Sequence, residues 1–245
     1  MESSTPPANA YTQRWFTTFL RTYGPDYTAR ELAFLACQLP LPRFHAVLDL
    51  CCANGRIALP LAERGHAVTG VDRDAAQLAQ AREASAQAGV TPVRYVEADM
   101  RRLDTIGGPF DAVLSMWASF GYFDDATNAA LLGDLANLLT RGARIVLDVY
   151  HRDFFVRRQG TLTSAREGEQ ITTTQRLDGN RLTTSITYGS TGTVESFSWQ
   201  VFTPDELSAL GATCNLRTAL ACTGFDETQP ATEAQPRMQL VFERL

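Results

Sequence analysis

Hydrophobic positions along this chain recur with two different periods. Over residues 11–39 they recur every three or four residues, with a break at Gly24-Pro25, as in amphipathic helices. Short apolar runs typical of buried strands then alternate with helical segments. The predicted strands are residues 46–50, 66–72, 93–96, 110–116 and 143–150, and the predicted helices are residues 56–64, 75–88 and 126–139. Strands that alternate with helices predict a parallel sheet covered on both faces.

The period changes to two after Asp153, which indicates β-hairpins. Three predicted strands, at residues 171–175, 182–188 and 196–201, flank turn residues at 178–180. Thr203 followed by Pro204 is typical of a helix start. Two further strands are predicted at residues 216–221 and 238–242.

These patterns predict an α/β fold with one main sheet. We expect a doubly wound, seven-stranded, mostly parallel sheet with an antiparallel β insertion and an N-terminal helical cap. The expected divisions are residues 1–43 for the tail and cap, 44–157 for the α/β core, 158–202 for the insertion and 203–245 for the C-terminal part of the core.

Composition excludes several classes of function. The net charge is −5 and every basic side chain is arginine in no extended cluster, so we expect no nucleic-acid partner. No apolar run approaches the roughly 20 residues of a membrane-spanning helix, so no membrane partner is expected. The five cysteines lack C-x-x-C spacing and nearby His partners, which predicts reduced thiols and no metal site. The polar start of the chain lacks the features of a signal peptide, and we expect a cytoplasmic protein.

Acidic residues stand at the ends of three successive predicted strands. Asp49 lies in the first strand, six positions before Gly55, and Asp72 ends the second strand. Asp99 follows the third strand. Because the carboxyl ends of parallel strands form the ligand-binding edge of such sheets, these carboxylates are expected to meet there. A carboxylate at the end of the second strand can accept hydrogen bonds from both hydroxyls of an adenosine ribose. Nicotinamide-binding folds share this feature, so it does not identify the cofactor by itself.

Seven segments together carry a resemblance to a known family. The segments are VLDLCCANGR, GHAVTGVDRD, ADMR, FDAVLSMWASFGYF, RIVLDVYHRDF, FTPDEL and PRMQLVFE. They resemble class I S-adenosylmethionine-dependent methyltransferases, and within them the small-molecule branch that includes sugar N,N-dimethyltransferases of antibiotic biosynthesis. One departure is clear: Cys51 and Ala53 stand where the family has its first two motif glycines. If the second position requires a positive φ, Ala53 costs roughly 1 kcal/mol of strain.

The resemblance implies a role for each matching residue around S-adenosylmethionine. The methionine part would be held by Asp49 and by the backbone of Cys51, Ala53 and Gly55. Asp72 would bind the ribose. The other implied cofactor contacts are Arg73, Asp99 and Met100 around the adenine, Met116 near the sulfonium, and Trp15 and Tyr27 in an N-terminal lid.

A small-molecule acceptor is expected beside the sulfonium, in a specialised metabolic reaction. The implied acceptor-binding residues are Tyr11, Trp117, Phe120, Tyr122 and Tyr150, and the candidate catalytic residues are His151 and Tyr122. Aromatic walls suit a sulfonium and an incoming amine, which favours transfer to nitrogen. An oxygen acceptor would need His151 as a base.

Other interpretations stay open from the sequence alone. One is a nicotinamide-dependent oxidoreductase, against which the absence of a Gly-x-Gly-x-x-Gly fingerprint speaks. Another is a scaffold that binds the cofactor without catalysis. A nucleic-acid methyltransferase is disfavoured because Ser115-Met-Trp-Ala replaces the Asn/Asp-Pro-Pro-Tyr motif. The hairpins form either an acceptor-pocket wall or a subunit contact, so a homodimer is a possible assembly.

Overall fold

A computed structural model describes residues 9–19, 25–90, 93–166 and 168–245 of the chain. Most of the tail and the glycine of the Gly24-Pro25 break lie outside these residues. The main sheet has eight strands in the order β11-β10-β12-β5-β4-β1-β2-β3. Its strands are β1 Ala46–Leu50, β2 Ala67–Asp72, β3 Arg94–Glu97, β4 Phe110–Ser115, β5 Leu139–Tyr150, β10 Leu216–Thr223, β11 Asp226–Pro230 and β12 Arg237–Arg244.

The five strands β1 to β5 pair in parallel, and β12 adds antiparallel to β5. The carboxyl ends of β1 to β5 therefore meet at one edge, as expected for a doubly wound sheet. The sheet has eight strands where seven were predicted, because β11 pairs with β10. All five β11 residues are exposed, so no buried face marked this strand in the sequence.

The described residues form seven α-helices around the main sheet. They are α1 Gln13–Phe19, α2 Pro25–Gln38, α3 Ala58–Glu63, α4 Ala75–Gln87, α5 Asp125–Asn137, α6 Arg152–Val156 and α7 Pro204–Thr213. Thr203 caps α7 in a capping box with Glu206, which confirms the predicted helix start. None of these helices has the length and apolar character that a membrane crossing requires.

The α5 to β5 connection is shorter than predicted. The helix was expected to run to Leu139, but it ends at Asn137 and β5 begins directly at Leu139. An irregularity near the start of β5 accommodates this, since Phe110 pairs with Leu139 and Ala112 already pairs with Arg144. Gly142 lies within this bulge with φ of +75°, a value that glycine adopts without strain.

The insertion forms a second sheet in the order β6-β7-β8-β9. Its antiparallel strands are β6 Gly160–Arg166, β7 Glu169–Asp178, β8 Arg181–Tyr188 and β9 Val194–Gln200. It has four strands rather than the three predicted, because the mostly exposed β6 shows no clear apolar alternation. Its apolar inner face packs with aromatic residues of the N-terminal segment, and both contribute to the cavity described below.

Candidate active site

A cavity of about 1060 Å³ lies between the carboxyl edge of the main sheet and the inner face of the insertion sheet. The carboxyl ends of β1, β2 and β4 contribute one end, and β6 to β9 contribute the other. Such a volume lies at the upper end of the range typical of small-molecule sites. We call the two regions the strand end and the insertion end.

Asp49 provides a buried carboxylate at the strand end. It is 2% exposed and its Oδ2 has no hydrogen-bond partner. Burial raises the pKa of Asp49 to about 7; nearby Asp72 and Glu31 add to this rise, while Arg56 opposes it. A buried carboxylate with a free oxygen costs energy unless a cation or a donor meets it. The strand end thus has a place for a positively charged ligand group.

The turn after β1 exposes its backbone to the same end of the cavity. Cys51, Ala53 and Gly55 all have positive φ, of 62°, 46° and 79°. Asp72 Oδ2 accepts a hydrogen bond from Ala53 N at 2.8 Å and thereby holds the turn. Because φ of Ala53 is positive, its side chain adds roughly 1 kcal/mol of strain to the turn. Burial and the neighbouring carboxylates raise the pKa of the Cys51 thiol, so this thiol stays protonated.

The rim of the strand end joins the N-terminal segment to β2 and β9. Arg73 donates a hydrogen bond to the Asn9 carbonyl oxygen at 3.0 Å. The Asn9 side chain pairs with the Ser198 backbone through two bonds of 2.7 Å. Asp99 also lines the cavity and is held by Arg101, which lowers the pKa of Asp99 by hydrogen bonding.

These features fit S-adenosylmethionine. The unpartnered oxygen of Asp49 suits its ammonium group, and the left-handed turn leaves backbone groups free to approach a ligand closely. Asp72, with both oxygens already accepting backbone N–H groups, retains lone pairs for ribose hydroxyls. Met100 is buried against the same wall and can pack on an adenine ring.

Trp117 lines the cavity and contacts several charged side chains. Its indole Nε1 donates to Glu31 at 3.0 Å, and two guanidinium groups lie near its ring. Arg56 stands 5.1 Å and Arg237 stands 5.4 Å from the ring centroid. Glu31 is fully buried and also binds Arg56. Stacked and ion-paired groups of this kind hold the indole in one orientation.

At the insertion end, aromatic residues form most of the wall. The hydroxyls of Tyr11 and Tyr122 are 3.1 Å apart, and the Tyr11 ring stacks on Phe197 at 4.7 Å. Burial raises the pKa of both tyrosines well above their usual range, so neither hydroxyl ionises near neutral pH. Trp15 and Tyr150 line the same wall, and Trp199 Nε1 is buried without a partner.

Charge is distributed unevenly along the described lining. The four lining carboxylates are Asp49, Asp72, Asp74 and Asp99, and all belong to the strand end. The insertion end is lined by Arg158, Arg166 and neutral polar groups such as Thr184. No histidine lies among the described lining residues. The described chain also holds no group of three or more potential metal ligands.

Most of the site residues expected from the sequence line the cavity. They are Tyr11, Trp15, Asp49, Cys51, Ala53, Asp72, Arg73, Asp99, Met100, Met116, Trp117, Tyr122 and Tyr150. Gly55 lies in the same turn behind the lining, where an added Cβ would meet the Tyr95 hydroxyl at 2.6 Å.

Three expected residues lie away from the lining. His151 is 4% exposed, and its backbone pairs with Pro236 and Phe202 outside the cavity wall. Phe120 is buried in the core, where it stacks on Phe202. Tyr27 packs edge-on against Trp117 and Phe225, behind the wall. The sequence placed His151 and Phe120 correctly near strand ends but could not show which way their side chains point.

Four charged residues near Trp117 were not predicted from the sequence. Glu31 pairs with Arg56, and Asp148 pairs with Arg237. Asp148 is fully buried within the apolar strand β5. A carboxylate inside an apolar run was the available signal, because charged residues are almost never fully buried without a partner.

The central part of the chain is similar in sequence to known proteins. Residues 47–142 match the family model described as a methyltransferase domain. The chain is 38% identical over 84 residues to the putative methyltransferase YqeM of Bacillus subtilis (strain 168). That match covers 34% of this chain and 32% of YqeM, so it spans about a third of the relative's length.

Solved structures share the whole fold at lower identity. One is an S-adenosylmethionine-dependent methyltransferase from Clostridium acetobutylicum ATCC 824, with a TM-score of 0.79 and 13% identity over 94% of this chain and 96% of that one. Another is the sugar N-methyltransferase KedS8 from Streptoalloteichus sp ATCC 53650, with a TM-score of 0.65 and 22% identity over 98% of this chain and 97% of that one. The match over residues 47–142 agrees with the methyltransferase resemblance of the sequence motifs. Residues 47–142 are similar to a methyltransferase domain, and the chain shares the overall fold of these solved structures.

Proposed function

We propose that this chain transfers a methyl group from S-adenosylmethionine to a nitrogen atom of a small molecule. The observation that carries the proposal is one cavity with an acidic strand end and an aromatic insertion end. The first suits a cationic cofactor, and the second suits an amine that gains charge as it is methylated. The likeness to a sugar N-methyltransferase supports the same acceptor class.

The residues of the strand end would hold the cofactor. Asp49 would bind the ammonium, Asp72 the ribose hydroxyls and Asp99 the adenine amino group, with Met100 against the ring. When bound, S-adenosylmethionine supplies an electrophilic methyl group on its sulfonium. The protein's main task is then to align the acceptor, since proximity and orientation supply about 7–11 kcal/mol of barrier reduction.

Nitrogen rather than oxygen is favoured because the described lining offers no suitable base at the insertion end. Tyr11 and Tyr122 stay neutral and can only exchange hydrogen bonds with an acceptor. His151 lies off the lining. A neutral amine already presents its lone pair, and the product ammonium can lose its proton to water, whereas a phenol or alcohol needs deprotonation.

The test is a screen for methyl transfer from labelled S-adenosylmethionine to matched pairs of small acceptors. Benzylamine with benzyl alcohol, and glucosamine with glucose, differ only in the atom offered. We expect label on the amine members alone. Labelling of the hydroxyl members would contradict the nitrogen assignment, and no labelling above a heat-inactivated control across a wide panel would favour a non-catalytic scaffold.

Replacing His151 gives a second check on the same point. Because its side chain lies off the cavity lining, His151→Ala should lower turnover of the methylated amine only a few-fold. Loss of a general base typically costs about 10²–10⁴-fold in rate. Steady-state rates with saturating cofactor measure this. A fall beyond roughly a hundredfold would contradict the neutral-amine route and indicate that His151 takes part in removing a proton from the acceptor.

A further inference from the structure

Asp148 is a buried carboxylate that lies beside, but does not line, the cavity. It stands in β5 opposite Gln239 of β12. Gln239 Nε2 donates to its Oδ1 at 2.9 Å, and Arg237 Nε donates to the same oxygen at 3.1 Å. A second guanidinium nitrogen of Arg237 donates to Oδ2. Both oxygens of Asp148 are therefore engaged on the β12 side.

The same carboxylate also binds the loop that follows β4. Trp117 N donates to Asp148 Oδ2 at 3.0 Å, and Ala118 N donates to the Asp148 carbonyl oxygen at 2.8 Å. Trp117 and Ala118 have φ of +60° and +55°. Two consecutive non-glycine residues in the left-handed region persist only where the surroundings hold them. Asp148 accepts one hydrogen bond from each of these two residues, through its side chain and its backbone, and Ser119 N bonds to the Met116 carbonyl oxygen at 3.2 Å within the turn.

This turn sets the middle of the cavity wall. Met116, Trp117, Ser119 and Tyr122 follow one another along the loop and all line the cavity. Arg237, which Asp148 anchors, lies 5.4 Å from the centroid of the Trp117 ring. A shift of the turn would therefore move the wall between the two ends of the cavity.

We propose that Asp148 is a positioning residue for methyl transfer, which fixes the Trp117–Ala118 turn and through it the alignment of acceptor and cofactor. The inference rests on the proposed function. Asp148 does not itself line the cavity, so it acts through Trp117 and Arg237, which do. The cofactor contacts at Asp49 and Asp72 do not depend on it.

The test compares Asp148→Asn with Asp111→Asn. Asp111 is a matched control because its carboxylate, like that of Asp148, accepts from the backbone, here from His45 N and Ala46 N at the opposite edge of the sheet. In Asp148→Asn we expect kcat to fall by about 10–100-fold, the range that small misplacements of reacting groups produce. The probe is the panel amine that the wild-type protein methylates fastest. The dissociation constant of S-adenosylhomocysteine should stay within about twofold of the wild-type value, because the strand end is unchanged.

Hydrogen exchange supplies a readout that needs no turnover. Amides of residues 117–122 should exchange faster in Asp148→Asn than in Asp111→Asn, each compared with the wild-type protein. Equal kcat losses in the two variants, or unchanged exchange at residues 117–122, would overturn the positioning role.

If Asp148→Asn does not fold, Arg237→Gln, which keeps the Asp148 bond to Trp117, should show a smaller kcat loss of the same kind. A wild-type protein that methylates no amine would overturn the proposed function, and the exchange comparison would still decide whether Asp148 holds the turn.

Discussion

Single residues at the strand end combine structural contacts with proposed roles in binding. Asp72 holds the turn after β1 through Ala53 N and starts α4 through Asp74 N. Asp49, by contrast, keeps one oxygen free. The two carboxylates therefore need different tests. Loss of Asp72 would also change the turn after β1, whereas loss of Asp49 would remove a buried charge with one unpartnered oxygen.

Asp72→Ala should weaken binding of S-adenosylhomocysteine by at least about tenfold. Each charge-assisted hydrogen bond to a ribose hydroxyl is worth about 1.5–3 kcal/mol. Calorimetry gives the dissociation constant, and Asp72→Asn separates the two duties, since an amide oxygen can still accept from Ala53 N. An unchanged dissociation constant in Asp72→Ala would contradict the assignment of Asp72 to the ribose.

Binding should also depend on pH through Asp49. Its pKa of about 7 means that the carboxylate protonates as pH falls through neutrality and no longer attracts an ammonium. We expect affinity for S-adenosylhomocysteine to be roughly tenfold weaker at pH 6 than at pH 8, with a flat profile in Asp49→Asn. The free protein should show the opposite trend from this group: a carboxyl with a raised pKa binds more protons when folded, so its contribution to stability falls as pH rises from 3.8 to about 7. A steep profile in Asp49→Asn would assign the dependence to another group.

Elements near the cavity differ in how directly the sequence predicts them. The apolar strands β1 to β5 and the capped helix α7 were predicted because burial and capping leave a local pattern. Strands β6 and β11 were not, because both are mostly exposed. The three carboxylates at the strand end of the cavity were predicted because each one stands at or near the end of a predicted strand. The turn at Trp117 could not be predicted, because it depends on Asp148, 31 positions away in the chain.

Helix α1 and the residues before it form an element whose order should depend on the cofactor. Trp15 and Phe19 pack on the wall of the insertion end, and Asn9 binds Arg73 at the strand end. Segments of this kind become ordered when ligand arrives and exclude water from the reaction. S-adenosylhomocysteine should therefore slow hydrogen exchange over residues 11–19, and less so in Asn9→Ala. Identical exchange with and without ligand would mean that the segment is constitutive packing.

At the scale of the whole molecule, cofactor binding should stabilise both sheets together, because the cavity lies between them. S-adenosylhomocysteine at about 100 times its dissociation constant adds about 2.7 kcal/mol to the free energy of unfolding. For a chain of this length that corresponds to a rise in Tm of roughly 5–10 °C. Calorimetric scans measure it, with Asp72→Ala at the same ligand concentration as the control. An equal rise in that variant would place the ligand elsewhere.

The Asn9 contacts have a kinetic consequence. Asn9 bridges Arg73 on the cofactor side and Ser198 of β9 on the acceptor side through three hydrogen bonds. If the proposed function holds, we expect exchange of spent for fresh cofactor to require this bridge to open and the chemical step to require it closed. Opening of the bridge should then limit turnover, so that in rapid-mixing kinetics the first catalytic cycle runs faster than those that follow.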